Sequence, residues 1–495
     1  MMKEPVFTVQ PNSCVFFVGI KGTGMSALAE LLLNAGVRVS GSDTGDIFYT
    51  DAILKELGVP YVETFDAAHI HDGVDFVVYS AAYSPETHPE LLEASRRGIP
   101  LFKYTDALGA YSANFDSSGI AGVHGKTTTT ALAGSLLKGA RLPAQILAGS
   151  AVSVFNGHST LSLGNGYFVA ETCEYRRHFL SFHPKRIVLT SVESDHQDYY
   201  PTYESIRDAF IEYGRKLPPG GELVYCADDE GACEVAETLR KEQRGLVFTP
   251  YGFTARGDFG IKRFSVENER LVFELNAFAE PFALRIPGRH NALNAAAALA
   301  LVSSIARTEN RAAGVTALSA GSMTKAQLEG ARRGLERFRG SKRRSEIIGE
   351  KNGVLFMDDY AHHPTAIKTT IEGLKTFYPN RRLIVSFMPH TYTRTAALLD
   401  EFATAFDGAD ALLLHKVYAS ARETYSGGVT GRTLFEKIET IKEEEYAPRA
   451  KEILYVEEPL DALPLVKPML KAGDLFLTMG AGDNWKLGKA LLEEA

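Results

Sequence analysis

The sequence predicts an α/β chain of three domains, each built on a mainly parallel sheet. Apolar runs of strand length repeatedly end in glycine-containing or acidic turns and give way to helical spacing, the pattern of open parallel sheets. A chain of 495 residues exceeds one core, and roughly 100 to 200 residues per domain points to three. One of the turns, Gly122-Val123-His124-Gly125-Lys126-Thr127, has the composition of a phosphate-binding loop.

In chain order, the first strand is Cys14 to Val18, and Gly19-Ile20-Lys21-Gly22-Thr23-Gly24 turns it into a helix from near Met25 to Asn34. Val37 to Ser40 reads as a second strand ending in Gly41-Ser42-Asp43, where an acid about 20 positions after the glycines often meets a ribose. The glycines run G-x-x-G-x-G rather than G-x-G-x-x-G, so a nicotinamide oxidoreductase is a rival reading of this domain that leaves the phosphate loop unexplained. Asp75 to Ser80 and Ile99 to Phe102 continue the strands, and the polar stretch Asp106 to Ser118 sets the first boundary. A buried strand, Gly119 to Val123, then feeds the phosphate loop, and Ala131 to Leu137 reads as helix. Glycines let backbone N–H groups approach phosphate oxygens, Lys126 adds charge at the outer phosphates, and Thr127 can hold Mg²⁺. Thr127 to Thr130 offer hydroxyls where the helix leaves N–H groups unpaired. Further strands are Tyr167 to Glu171 and Arg186 to Ser191, and the alternation of Leu246 to Leu275 suggests an antiparallel excursion. Asn291 to Ile305 resumes helical spacing. A third unit starts near Gly340 with strands at Gly353 to Met357, Arg382 to Phe387, Ala411 to Leu414 and Leu475 to Met479; its basic entrance, Arg339 to Arg344, reads as a linker.

Composition narrows the function. The 53 Lys and Arg are outnumbered by 61 Asp and Glu, for a net charge of −8, and they form no stripe, so nucleic acid is not an expected partner. Met1 to Pro11 lacks the basic start and apolar core of a signal peptide. No segment reaches the roughly 18 apolar residues of a membrane span. Four scattered cysteines fit neither a zinc site nor a disulfide framework, so the cytoplasm is the expected location.

Several strand ends carry candidate chemistry. Glu171 and Glu174, then Glu193, Asp195, His196 and Asp198, follow two predicted strands. Glu171 with Thr127 suits the Mg²⁺ that bridges ATP phosphates, and His196 suits a second metal or a substrate group. Arg289-His290-Asn291-Ala292-Leu293-Asn294 sets two amides three residues apart on one helix face, able to read adenine or to cap the helix. Asp358-Asp359-Tyr360-Ala361-His362-His363 offers acids for ribose hydroxyls, and Met388-Pro389-His390-Thr391-Tyr392-Thr393-Arg394 an arginine for a carboxylate or phosphate.

The ordered set G-x-x-G-T-G-M-S, H-G-K-T-T-T-T, E-x-x-E, E-x-D-H-x-D-Y-Y, P-G-R-H-N-x-x-N, D-D-Y-A-H-H-P-T, P-H-x-Y-T-R-T and M-G-A-G-D resembles the Mur ligases from about residue 13 to the C-terminus. The resemblance implies a Rossmann-like UDP-sugar domain at 1–112, a central ATP-binding domain at 113–338 and a C-terminal Rossmann-like domain at 339–495. It implies ATP-dependent ligation of L-alanine to the carboxylate of UDP-N-acetylmuramate through an acyl phosphate, with addition of a peptide or another amino acid as the alternative. By position, it implies that Gly122, Val123, His124, Gly125, Lys126, Thr127 and Thr128 bind ATP with Asn291, Asn294, Arg344 and Asp359. Gly22, Thr23, Gly24, Met25 and Ser26 would cradle the UDP pyrophosphate, with Ser42 and Asp43 beside them. Lys126, Glu171, His196 and Arg344 would be catalytic, Thr127, Glu171 and His196 would hold Mg²⁺, and His390 and Arg394 would face the amino acid or the muramyl carboxylate. A monomer or homodimer is expected. Thr391 stands where the family commonly has arginine, Ser191 where asparagine is usual, and Cys173-Glu174-Tyr175 where Asp-Glu-Ser is commoner. Tyr418 to Glu423 is an imperfect version of a shorter family loop and receives no role.

Overall fold

The computed structural model describes residues 7–242, 245–419, 428–444 and 452–494 and builds them on three sheets of five, ten and six strands. In the first, the order is Tyr61–Val62, Arg38–Ser42, Cys14–Val18, Phe76–Tyr79, Leu101–Lys103, all parallel. The order reverses beside Cys14–Val18, so the glycine turn that follows it opens at the switch point of the sheet. The helix Thr23–Asn34 begins there, two residues earlier than its apolar spacing indicates.

The second sheet sets the phosphate-loop strand Asp116–Ala121 between Tyr167–Glu171 and Arg186–Leu189. Parallel pairing in one direction delivers the loop, Glu171 and the acidic segment 192–198 to the same sheet edge. The expected excursion is antiparallel from Phe259–Val266 through Leu271–Leu275 to Phe282–Leu284, whereas Val247–Gly252 pairs parallel with Glu222–Cys226. The polar stretch at the first boundary carries most of the helix Tyr104–Ser112 and the start of strand Asp116–Ala121. In the third sheet, Val354–Asp359, Asp474–Met479, Arg382–Phe387, Ala411–Leu414 and Glu452–Tyr455 run parallel, with Glu346–Lys351 antiparallel at one edge. Residues 420–423 of the unassigned loop lie outside the described residues.

The phosphate-loop helix, Lys126–Ala140, is held by Lys325–Arg337 crossing it at backbone contact. A Cβ on Gly330 would collide with the carbonyl of Gly139, and one on Gly139 with the carbonyl of Gly330; a Cβ on Gly334 would stand 2.5 Å from Ser135 O. Glycine inside a helix costs about 1 kcal/mol relative to alanine, so these glycines serve the crossing rather than either helix. Gly330→Val is expected to lower stability by about 1–3 kcal/mol through overpacking, read as a fall in Tm with native circular dichroism; an unchanged Tm would show that the helices can separate freely.

Candidate active site

The phosphate loop depends on two left-handed positions. Gly122 has φ 134° and Gly125 φ 81°; a Cβ on Gly122 would strike Thr190 Oγ1, and one on Gly125 would stand 2.5 Å from Asn294 Oδ1. Ser191 braces the loop from the neighbouring strand end, its Oγ accepting from His124 N at 2.9 Å and its carbonyl from Val123 N at 3.0 Å. No side chain caps the helix at Gly125. The hydroxyls of Thr129 and Thr130 do not take that role: Thr130 Oγ1 donates back to Lys126 O at 2.9 Å and Thr129 Oγ1 to Asn294 Oδ1 at 3.3 Å. The first-turn N–H groups therefore face the loop, an arrangement that favours an anion.

A cavity of about 290 Å³ opens over this helix start. Val123, His124, Gly125, Lys126, Thr127, Thr128, Glu171, Asn291, Asn294, Arg344 and Asp359 all stand in its wall, so the structure gathers the residues named for ATP from two domains, while Gly122 lies at the loop entrance. Asn294 Nδ2 donates to Asn291 Oδ1 at 3.1 Å, the contact their helical spacing implies. Asp359 already accepts from Ser345 N at 2.7 Å and Ala361 N at 2.8 Å, which makes it a brace of its own strand end as well as a cavity residue. Arg344 lies over the Tyr360 ring at 5.0 Å.

Lys126 Nζ lies 2.9 Å from the buried Glu174 carboxylate and also donates to Gly122 O. Burial alone would lower the lysine and raise the glutamate; their mutual attraction outweighs it in both, and the pair stays charged. His196 Nε2 reaches the same carboxylate at 3.4 Å, so His196 stands beside Lys126 rather than in the cavity wall. From the third domain, Arg394 Nη2 donates to Asp195 at 2.8 Å, with Nη1 3.3 Å from His390 Nδ1; Arg394 and Asp195 are both buried.

A smaller cavity of about 170 Å³ leads from Glu171 to the first domain and is lined by Thr23, Gly24, Tyr104 and Cys173. Thr23 and Gly24 of the glycine turn face it. Met25 and Ser26 are buried, with Ser26 Oγ donating to Thr23 O at 3.1 Å. Ser42 donates to Glu90 at 2.6 Å, and Asp43 accepts from Lys21 N at 2.6 Å and Thr44 N at 2.8 Å, so in this structure those two residues brace the turn. Sequence reasoning passed over Lys21, whose buried ammonium meets Asp51 at 3.1 Å and Glu63 at 2.6 Å. It also passed over Asp228 and Asp229 in the wall of the larger cavity, an acidic pair directly after the apolar strand Glu222–Cys226.

The phosphate loop, the carboxylates gathered at its sheet edge and a third domain over them define a nucleotide-driven ligase of multidomain α/β type. Residues 15–116 match the sequence family described as "Mur ligase family, catalytic domain", 120–302 "Mur ligase middle domain" and 343–482 "Mur ligase, glutamate ligase domain". The chain belongs to the Mur ligase family. It is 51% identical over 477 residues to the UDP-N-acetylmuramate–L-alanine ligase of Treponema pallidum (strain Nichols), covering 96% of this chain and 95% of that protein. The Borreliella burgdorferi enzyme of the same name is 36% identical over 96% of this chain and 97% of its own length. Among solved structures, the UDP-N-acetylmuramate-alanine ligase of Thermotoga maritima superposes with a TM-score of 0.73 at 25% identity, covering 97% of this chain and 98% of that one.

Burial raises the Glu193 carboxyl, helped by Asp229 and Asp195, from 4.5 to about 7. Its folded value therefore exceeds its unfolded one, so ionisation opposes folding. The penalty is absent well below pH 4.5, grows between 4.5 and 7, and is complete above 7. In chelator-containing buffer, Glu193→Gln is expected to raise the Tm clearly at pH 8 and little at pH 5; equal shifts at both would contradict the assignment.

Proposed function

We propose that the chain joins L-alanine to the carboxylate of UDP-N-acetylmuramate, converting ATP to ADP and phosphate, in peptidoglycan precursor synthesis. The observation that carries this reading is the position of Glu171 in the wall of both cavities, between the phosphate loop and the glycine turn of the first domain. A group activated at the outer phosphate and a sugar nucleotide seated on Thr23 and Gly24 meet at that residue. The 51% identity over nearly the full length favours alanine as acceptor over a peptide.

A muramyl carboxylate oxygen attacks the γ-phosphorus, the bond to ADP breaks, and an acyl phosphate forms. The alanine amine then attacks the acyl carbon, phosphate departs, and the amine proton passes to a base, a role open to His196 when it holds no ion. Lys126 compensates charge at the transferring phosphoryl group once phosphate oxygens replace Glu174 beside it. Thr127 and Glu171, hard oxygen donors in one wall, fit Mg²⁺, which neutralises phosphate charge when bound; His196 with Glu174 would serve a second ion. An incoming carboxylate would compete with Asp195 for Arg394, a geometry that supports a role for Arg394 and His390 on the amino-acid side.

The test is phosphate release from ATP, Mg²⁺ and UDP-N-acetylmuramate with and without L-alanine, followed by mass analysis of the product. Alanine-dependent release with a UDP-muramyl-alanine product is expected; release stimulated by a peptide and not by alanine would overturn the acceptor. Lys126→Ala is expected to reduce turnover on the order of 10²- to 10³-fold, while calorimetric binding of UDP-N-acetylmuramate stays unchanged. Full turnover in the folded variant would remove Lys126 from the mechanism.

A further inference from the structure

His124 of the phosphate loop, Glu193 of the acidic segment and His363, which precedes the helix Pro364–Phe377, come together at the rim of the larger cavity. Each offers one ligand atom, and these atoms all lie within 4.8 Å of one another. His124 Nε2 is 3.8 Å from Glu193 Oε2, and the two imidazole centres are 5.4 Å apart. His363 is only 8% exposed, and neither its Nδ1 nor His124 Nε2 has a hydrogen-bond partner among the described residues. Buried polar atoms normally find partners. Two imidazoles and a carboxylate gathered within 4.8 Å, each imidazole with a buried ring nitrogen that lacks a partner among the described residues, have the chemistry of a cation site.

We propose that His124, Glu193 and His363 form a binding site for a borderline-soft divalent transition metal, with Zn²⁺ its representative, separate from the oxygen-donor site of Thr127 and Glu171. Two imidazoles and a carboxylate supply three protein ligands and leave one position open to water or a phosphate oxygen. Imidazole favours zinc, nickel or copper over Mg²⁺, so the donor set discriminates against the ion that accompanies ATP. Tetrahedral coordination with bonds of about 2.0–2.1 Å places ligand atoms about 3.3 Å apart, a spacing that modest side-chain rotations reach from the observed one. His124 and Glu193 belong to the central domain and His363 to the third, so the ion ties the two together across the mouth of the cavity. It thereby holds the closed arrangement and slows any exchange of nucleotide that requires opening. The metal site stands on these three side chains; only its effect on turnover rests on the function proposed above.

Zn²⁺ is titrated calorimetrically into the full chain in excess Mg²⁺, Co²⁺ absorption reports geometry, and small-angle scattering reports closure. The expected result is a Zn²⁺ site that excess Mg²⁺ does not displace, a tetrahedral-type Co²⁺ band and a smaller radius of gyration with Zn²⁺. His363→Gln and Glu193→Gln, each checked for native circular dichroism, weaken that site on the order of 100-fold or more and abolish the compaction, whereas His196→Ala keeps both. Zn²⁺ binding that survives His363→Gln and disappears in His196→Ala would place the ion at Glu174 and His196 and overturn the proposal. So would the absence of Zn²⁺ binding to the unaltered chain.

Discussion

The buried ion pair between Asp195 and Arg394 is the contact on which the geometry of the site depends, because it ties the central domain to the third at the mouth of the cavity. Burial would push the Asp195 carboxyl up, but the Arg394 guanidinium, with His196 adding to it, outweighs that and holds the group ionised far below the usual range. Buried pairs of this kind return their desolvation cost only with good geometry, so their contribution to stability is small even when losing one partner is costly. What the pair does provide is position. With Arg394 anchored, the end of strand Arg382–Phe387 is fixed against the acidic segment, and Val354–Asp359, separated from it by the single strand Asp474–Met479, brings Asp359, Ala361 and His362 into the cavity wall.

Most of the architecture is legible locally, and the exceptions have identifiable causes. Arg382–Phe387 and Ala411–Leu414 are observed at the bounds their apolar runs indicate. The phosphate-loop helix is longer than its apolar core, since four threonines look unhelical by propensity, yet all four are buried and Thr130 satisfies its hydroxyl on the backbone one turn back. The stretch from Asp106 to Ser118 reads as polar because of its serines. Ser112 and Ser117 are nevertheless buried, donating to Gly109 O at 2.6 Å and Ser112 O at 2.5 Å, which makes them compatible with a packed interior.

The site divides in the same way. Motifs at strand ends show which side chains gather, because parallel strands deliver their C-terminal turns to one edge. They do not show which partner each charge takes. Arg394 finds Asp195 across 199 positions, and Lys126 finds Glu174 across 48. No local spacing encodes such pairings, and so Asp43 and Asp359, read as ribose acceptors, carry backbone hydrogen bonds here that only the folded chain reveals.

The pairings change how substrate recognition is understood. Arg394 is buried and Lys126 partly so, and each is held by a carboxylate of the protein, so neither is a bare cation awaiting a ligand. Phosphate and carboxylate groups of substrates carry the same sign as Glu174 and Asp195, and their arrival exchanges one anion for another rather than adding charge. Much of the desolvation of these cations is completed on folding, which leaves the site preorganised for a developing negative charge. The displaced carboxylates then need cations of their own. Glu174 lies 3.4 Å from His196, and a divalent ion arriving with the nucleotide would compensate its charge. On the function proposed above, the same carboxylate that restrains the lysine in this structure would be free to hold a metal ion when the lysine turns to phosphate, and nucleotide entry would then be coupled to ion binding through a single side chain.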